Sequence, residues 1–111
     1  MCTSIFDGAV PTLKAVELQE RLKGGNPPYV LDVRQLQEFQ LGHIEGAHLI
    51  PLGELNRRIN EVPRDRDIVC ICATGHRSVP AAHKLMAKGY HVSHLKNGMV
   101  AWLMAKLPTQ R

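Results

Sequence analysis

The segment from Cys72 to Ser78 combines residue types that can form and hold a nucleophilic thiolate. It joins an apolar run to residues that can begin a helix, so backbone N–H groups can surround the sulfur. The dipole of that helix favours negative charge at its N-terminus, and Arg77 adds a full positive charge. Gly75 tolerates the positive φ that a tight loop requires. The sequence therefore predicts that Cys72 is ionised and acts as a nucleophile in covalent catalysis.

The other residues of this loop have less specific expected roles. Ala73 is too small to do more than expose its amide. Thr74 and His76 could contact a substrate or could equally face solvent, and Ser78 can cap the helix that follows. We assign residues 73–78 to substrate binding and loop structure.

Polar residues that could support the loop follow a second apolar run. Asp32 stands near the end of Tyr29–Val33, and Arg34 and Glu38 come shortly after it. A thiolate that is already ionised needs no separate carboxylate base, so we interpret these three residues as loop-supporting rather than catalytic. The carboxylates can pair with Arg34 or with Arg77, and the sequence leaves that pairing open.

The remaining two cysteines are less suited to nucleophilic chemistry. Cys70 lies two residues before Cys72 and could act as a resolving cysteine, but its apolar context favours an inert core residue. Cys2 lies near the N-terminus and receives no role. Three cysteines are an odd number in a domain that does not need disulfides, which favours a reducing compartment.

Four histidines, His43, His48, His91 and His94, invite a metal hypothesis. Their spacings lack the closed Cys and His sets of zinc sites. We therefore expect neither a metal nor a cofactor.

The chain alternates strand patterns with helix patterns. Short β-rich runs predict strands over Tyr29–Val33, Ala47–Ile50, Asp67–Cys72 and Tyr90–Leu95. Helical spacing and end signals predict five helices. The first is capped by Thr12 and ends at Gly24-Gly25, which supplies an αL residue. The others cover Gln35–Gln40, Leu52–Val62, Ser78–Gly89 and Met99–Leu107. The run Asp67–Cys72 lacks alternation, which indicates a central strand buried on both faces.

This order indicates an α/β domain with a central, mainly parallel sheet and helices on both faces. Sites in such sheets lie beyond the carboxyl ends of the strands, so Asp32 and Cys72 should project toward one rim. The last helix is apolar nearly all round, and we expect the sheet to cover it rather than a partner. The 111 residues fit a single domain with a core of about residues 10–107 and a mobile segment 1–9.

Several motifs together resemble those of a single-domain rhodanese, a thiosulfate or persulfide sulfurtransferase. The loop matches the family's Cys-x-x-Gly-x-Arg-Ser pattern at Cys72, Gly75, Arg77 and Ser78. The other matching segments are Leu31-Asp32-Val33-Arg34, Glu38-Phe39, Gly42 to Ala47, Ile50-Pro51, and Leu95 to Met99 with Trp102. Asn97 stands where the family often has Gly, and asparagine also tolerates αL.

The resemblance implies a rhodanese-like three-layer fold and a two-step reaction. Cys72 would take the outer sulfur of a donor as a persulfide and pass it to a thiol, cyanide or another nucleophile. The expected partners are a small-molecule donor and acceptor, with a protein as an alternative acceptor. The oligomeric state stays open.

Two other classes compete with this interpretation. Cysteine phosphatases and arsenate reductases also use a thiolate, amides and an arginine, but their loops resemble Cys-x5-Arg, whereas four residues separate Cys72 from Arg77 in this chain. A non-catalytic rhodanese-like interaction module usually lacks the cysteine. A persulfide carrier dedicated to one protein partner is the remaining alternative.

Composition and hydropathy exclude further classes of protein. The net charge of +4 is modest and scattered, and few aromatic residues are present, so nucleic-acid binding is not expected. No apolar run approaches the roughly 20 residues of a membrane-spanning helix. The first eight residues lack the features of a signal peptide, so we expect a cytoplasmic protein.

Overall fold

The computed structural model describes residues 10–111, so the predicted mobile segment 1–9 and Cys2 lie outside the described residues. Residues 10–111 contain a five-stranded sheet whose neighbouring strands all run parallel. The strands are β1 (Thr12–Leu13), β2 (Tyr29–Asp32), β3 (His48–Leu49), β4 (Ile68–Ile71) and β5 (Val92–Leu95). Their order across the sheet is β1-β5-β4-β2-β3, which confirms that β4 is central.

Helices cover both faces of this sheet, as predicted. On one face lie α1 (Ala15–Lys23) and α5 (Gly98–Met104). On the other lie α3 (Leu55–Arg58) and α4 (Ser78–Met86), while α2 (Leu36–Leu41) follows β2 and buries no residue fully. The architecture is therefore the three-layer α/β arrangement that the sequence indicated.

The central strand contributes to both hydrophobic clusters. Ile68 and Cys70, followed by Cys72 just beyond the strand, face α3 and α4, whereas Val69 and Ile71 face α1 and α5. All five residues are fully buried. Burying an aliphatic side chain of this size contributes about 1.5–3 kcal/mol. Strand β4 therefore holds the segment that follows it on a rigid support.

The first helix begins later than predicted. Thr12 does not cap it but pairs with His94 of β5 at the edge of the sheet. The helix starts at Ala15, and the Lys14 N–H donates to Glu17 Oε1 at 2.8 Å instead. Pairing with β5 overrides the local cap signal, because it satisfies backbone groups that a longer helix would have satisfied.

Two other helix predictions were wrong in part. Neither Gly24 nor Gly25 has a positive φ, and Gly24 is extended with a φ of −76°. The predicted helix over Leu52–Val62 is divided into a 3₁₀ turn (Leu52–Glu54), the short α3 and a second 3₁₀ turn (Ile59–Glu61). A 3₁₀ turn also keeps apolar residues on one side over short distances, so the apolar spacing did not distinguish a continuous α-helix from short 3₁₀ turns.

The last helix is covered only on one side. Met99 and Trp102 are buried, whereas Val100, Leu103 and Met104 are 44%, 57% and 79% exposed. The helix therefore packs against the sheet, as expected, but a helix on a sheet buries one stripe only, and the rest of its apolar surface stays exposed. Within residues 10–111, no helix has the length and apolar character to cross a membrane.

Candidate active site

The sulfur of Cys72 lies beneath a loop whose amides point at it. The Gly75 N–H donates to Cys72 Sγ at 3.0 Å, and the Ser78 N–H donates to the same atom at 3.3 Å. Gly75 has the positive φ that was predicted, +99°. Cys72 is completely buried, and hydrogen bonds count for more where water is excluded. The arrangement favours negative charge on this sulfur.

Ser78 does not cap α4 in the way that was predicted. It is the first residue of the helix, and the Cys72 sulfur accepts its N–H instead. Its hydroxyl oxygen lies 3.2 Å from the Gly75 carbonyl oxygen, 3.6 Å from Cys72 Sγ and 3.0 Å from His94 Nδ1. The cysteine sulfur therefore satisfies one of the free N–H groups at the start of the helix.

The opposite side of the loop is held by α5. The Met99 N–H donates to the Cys72 carbonyl at 2.8 Å, and the Val100 N–H donates to the Ala73 carbonyl at 3.0 Å. Asn97 precedes this helix with a φ of 59°, which confirms that asparagine adopts αL at this position. These two hydrogen bonds attach the start of the loop to α5.

The guanidinium of Arg77 is bound by a carboxylate from α2. Arg77 Nη1 and Nη2 donate to Glu38 Oε1 and Oε2 at 2.7 and 2.8 Å, and Glu38 Oε1 also accepts the Gln35 N–H at 2.9 Å. The bond from Arg77 lowers the pKa of Glu38 to about 2. Among the described residues, no hydrogen bond joins this guanidinium to the sulfur, so its charge acts on Cys72 from a distance.

We expect the Glu38→Gln variant to lose about 1 kcal/mol of stability near neutral pH, since a third of each paired side chain remains exposed to water. The folded-state pKa of Glu38 lies below its ordinary value of 4.5, so this contribution is present above pH 4.5 and is lost as the pH falls toward 2. Urea unfolding at a series of pH values measures the difference between the two proteins.

The matched control is Glu20→Gln, because Glu20 is exposed on α1. It should change stability little at any pH. An equal loss in both variants, or a Glu38→Gln difference that persists unchanged at pH 2, would contradict a stabilising pair.

The other two loop-supporting candidates pair with each other. Arg34 Nε and Nη2 donate to the Asp32 carboxylate at 2.7–3.1 Å, and Nη2 also donates to the Gly42 carbonyl at 2.9 Å. Asp32 is fully buried and Arg34 nearly so. Charges this deeply buried persist only when they are paired. The pair therefore fixes the chain between β2 and α2, and α2 carries Glu38.

Cys70 is chemically separated from Cys72 despite its proximity in sequence. It is completely buried in the cluster beneath α4. Burial, with a smaller effect from Cys72, raises the pKa of the Cys70 thiol to about 12. A thiol that stays protonated is a poor nucleophile.

The exposed part of the loop consists of Thr74 and His76, whose side chains lie 3.3 Å apart at Oγ1 and Nδ1. Ala73 is half-buried. Thr74 and His76 are thus the loop side chains that a bound molecule would meet first.

The four histidines considered as metal ligands lie apart from one another. His43 stacks on Phe39, and His48 stacks on Tyr29. His91 is exposed, and His94 contacts Ser78. Within residues 10–111, no three histidine, cysteine or acidic side chains form a group that could hold a metal ion.

Two residues near the sulfur were missed by sequence reasoning. Gly98 has a φ of +54°, and a Cβ atom on it would lie 2.2 Å from the Cys72 carbonyl oxygen. His94 was considered only as a metal ligand, although it contacts Ser78. The position of Gly98 within the matched C-terminal motif was a usable signal, whereas the contact of His94 depends on strand order.

The chain is similar to known proteins over most of its length. The sequence profile of the Rhodanese-like domain family matches residues 14–105. The chain is 34% identical over 100 residues to a sulfurtransferase of Allochromatium vinosum, covering 89% of this chain and 94% of that protein. It is 32% identical to the "Putative sulfur carrier protein YrkF" of Bacillus subtilis, covering 85% of this chain but only 51% of that protein.

A solved structure of a related protein has the same fold as this chain. The rhodanese-related protein of Thermoplasma volcanium superimposes with a TM-score of 0.84 at 30% identity, over 90% of this chain and 97% of that one. The similarity thus extends over nearly the whole of both chains.

Proposed function

Because the chain belongs to the rhodanese-like domain family, we propose that it is a sulfurtransferase that works through a persulfide on Cys72. The observation that carries this proposal is the pair of amides, from Gly75 and Ser78, that donate to the Cys72 sulfur. Donors placed in this way stabilise negative charge on a thiolate and on the persulfide formed from it. The name of the Allochromatium vinosum relative supports the same class of reaction.

The proposed reaction has two steps. The Cys72 thiolate attacks the outer sulfur of thiosulfate or of a persulfide, and a new S–S bond forms. The donor's own S–S bond breaks, and sulfite or the donor thiolate leaves with its electron pair. A thiol, cyanide or another nucleophile then attacks the terminal sulfur, and Cys72 leaves as the thiolate. Neither step needs a metal or a cofactor.

The loop residues have distinct roles in this proposal. Residues 73–78 bind the donor, whose outer sulfur must pass the loop because Cys72 is buried. Asp32, Arg34 and Glu38 support the loop through the two ion pairs. Arg77 contributes positive charge while Glu38 holds its guanidinium in place.

A protein acceptor is the second candidate. One relative's name describes a sulfur carrier, which favours transfer between proteins. The exposed apolar residues Val100, Leu103 and Met104 lie on α5, whose first turn binds the loop carbonyls. An apolar surface beside the site would suit docking of such a protein.

We further propose that residues 1–111 act as a single domain in a reducing, cytoplasmic compartment, which two buried free thiols support.

We expect the protein to transfer sulfur from thiosulfate to cyanide and to show no hydrolysis of an aryl phosphate such as p-nitrophenyl phosphate. Within residues 10–111, two amides donate to the sulfur, and the four residues between Cys72 and Arg77 form a small ring. Such a ring can surround one terminal sulfur, whereas the three equatorial oxygens of a phosphoryl group need more donors. Parallel assays of thiocyanate formation and phosphate release measure both activities.

A variant with one Gly inserted after Thr74 widens the ring. It should lose about a hundredfold in sulfur transfer, as expected when a donor at the reacting atom is displaced. Phosphatase turnover that depends on Cys72 in the unaltered protein would overturn the proposed function.

A further inference from the structure

Strand register brings a histidine close to the nucleophile. The Cα atoms of Cys70 and His94 are partners across β4 and β5. His94 lies two residues after Val92, which faces the cluster beneath α4, so His94 points to the same face of the sheet. The α4 helix begins above this position, and its first residue, Ser78, lies between His94 and Cys72.

The three side chains form a continuous hydrogen-bonded series. Ser78 Oγ lies 3.6 Å from Cys72 Sγ and 3.0 Å from His94 Nδ1. The Gly75 carbonyl, 3.2 Å from the same hydroxyl, is a competing acceptor. A hydroxyl has one proton to donate, so the group at His94 Nδ1 influences which acceptor receives it.

From this geometry we propose that His94 is a positioning residue, which turns the Ser78 hydroxyl toward the Cys72 sulfur. This inference rests on the proposed function, in which the sulfur reacts as an anion. When Nδ1 carries a proton, it donates to Ser78 Oγ, and the Ser78 hydroxyl donates to the thiolate or persulfide. A hydroxyl that accepts a hydrogen bond in this way donates a stronger one.

The same series gives the thiol proton a route to solvent. In the thiol state, Cys72 donates to Ser78 Oγ, Ser78 donates to His94 Nδ1, and the ring proton is on Nε2. On ionisation, the Cys72 proton passes to Ser78, the Ser78 proton passes to Nδ1, and the Nε2 proton leaves to water. One proton is released in total. His94 is half-buried, so part of the residue remains in contact with water.

The state of the ring suits this role. Burial lowers the pKa of His94, so the imidazole is neutral near pH 7. A neutral ring has one nitrogen that donates and one that accepts, and it can exchange them between the two states.

The test compares the unaltered protein with His94→Phe. In each, the rate at which iodoacetamide alkylates Cys72 at pH 7 is measured by peptide mass mapping. We expect the variant to react about threefold to tenfold more slowly, the range set by one neutral hydrogen bond. The His94→Asn variant should retain most of the rate, because its amide places a polar atom where Nδ1 lies. The control is His91→Phe, at an exposed position of the same segment, which should react normally.

A double-variant comparison separates positioning from a general structural effect. In a Ser78→Ala background, His94→Phe should cause no further loss, since its effect passes through the hydroxyl. A normal rate for His94→Phe, an equal loss in His94→Asn, or losses that multiply in the double variant would overturn the proposal. Alkylation needs no sulfur donor, so a protein that fails to form a persulfide refutes the proposed function without affecting this comparison.

Discussion

Replacement of Cys72 by Ser is expected to reduce sulfur transfer by at least about a thousandfold, the scale of loss when a covalent nucleophile is removed. The hydroxyl of serine is not ionised by two amides and a distant guanidinium, so no persulfide can form. Replacement of Cys70 should leave the rate within about threefold of the unaltered protein. Cys70 is buried and its thiol stays protonated, with a pKa of about 12. Thiocyanate formation from thiosulfate and cyanide measures both variants.

The Cys70 variant needs a check on folding. A serine hydroxyl at this buried position would lack a partner and could destabilise the core. Cys70→Ala avoids that cost, and thermal unfolding shows whether each variant is folded. Loss of activity in a folded Cys70→Ala protein would contradict an inert Cys70 and favour its action as a resolving cysteine.

Gly98→Ala is expected to have the second-largest effect. The added Cβ would lie 2.2 Å from the Cys72 carbonyl oxygen and 2.8 Å from the Ala73 carbonyl carbon and oxygen. The two carbonyl oxygens accept the N–H groups of Met99 and Val100, so α5 and the loop must separate. We expect a loss of about 3 kcal/mol or more from overpacking and strain. Sulfur transfer should fall with it, because the loop amides shift away from the sulfur.

Gly46→Ala is the matched control for this prediction. Gly46 also has a positive φ, +84°, but nothing lies within 4 Å of its Cβ position. That variant has the backbone strain without a steric clash, so its free energy of unfolding should fall by only about 1 kcal/mol. Thermal unfolding of both variants, with transfer assays on whatever remains folded, measures the two effects. Equal losses would show that the close approach at Gly98 is unimportant.

The sequence was most informative where local patterns and tertiary burial agree. The apolar run ending at Cys72 identified the central strand, because a strand buried on both faces carries no alternation. The loop after it followed from local residue types, since Gly75 has the positive φ that was expected. Asn97 likewise adopts the αL conformation that asparagine tolerates.

Prediction was weaker wherever a distant segment decides the local structure. Thr12 has the chemistry of a cap but belongs to an edge strand, since β5 supplies its partners. Glu38 and Arg77 are 39 residues apart, so sequence spacing did not indicate their pairing. The contact of His94 with Ser78 also required the order of the strands. The packing of α5 depended in the same way on how much of its surface the sheet could reach.

The central claim is that Cys72 carries the transferred sulfur, and intact mass spectrometry after incubation with thiosulfate tests it most directly. The protein should gain the mass of one sulfur atom, and peptide mapping should place that atom on Cys72. Cyanide should then remove it with formation of thiocyanate, and Cys72→Ser should gain nothing. Absence of the added sulfur with thiosulfate and with persulfide donors alike, or its location on Cys70, would contradict the account.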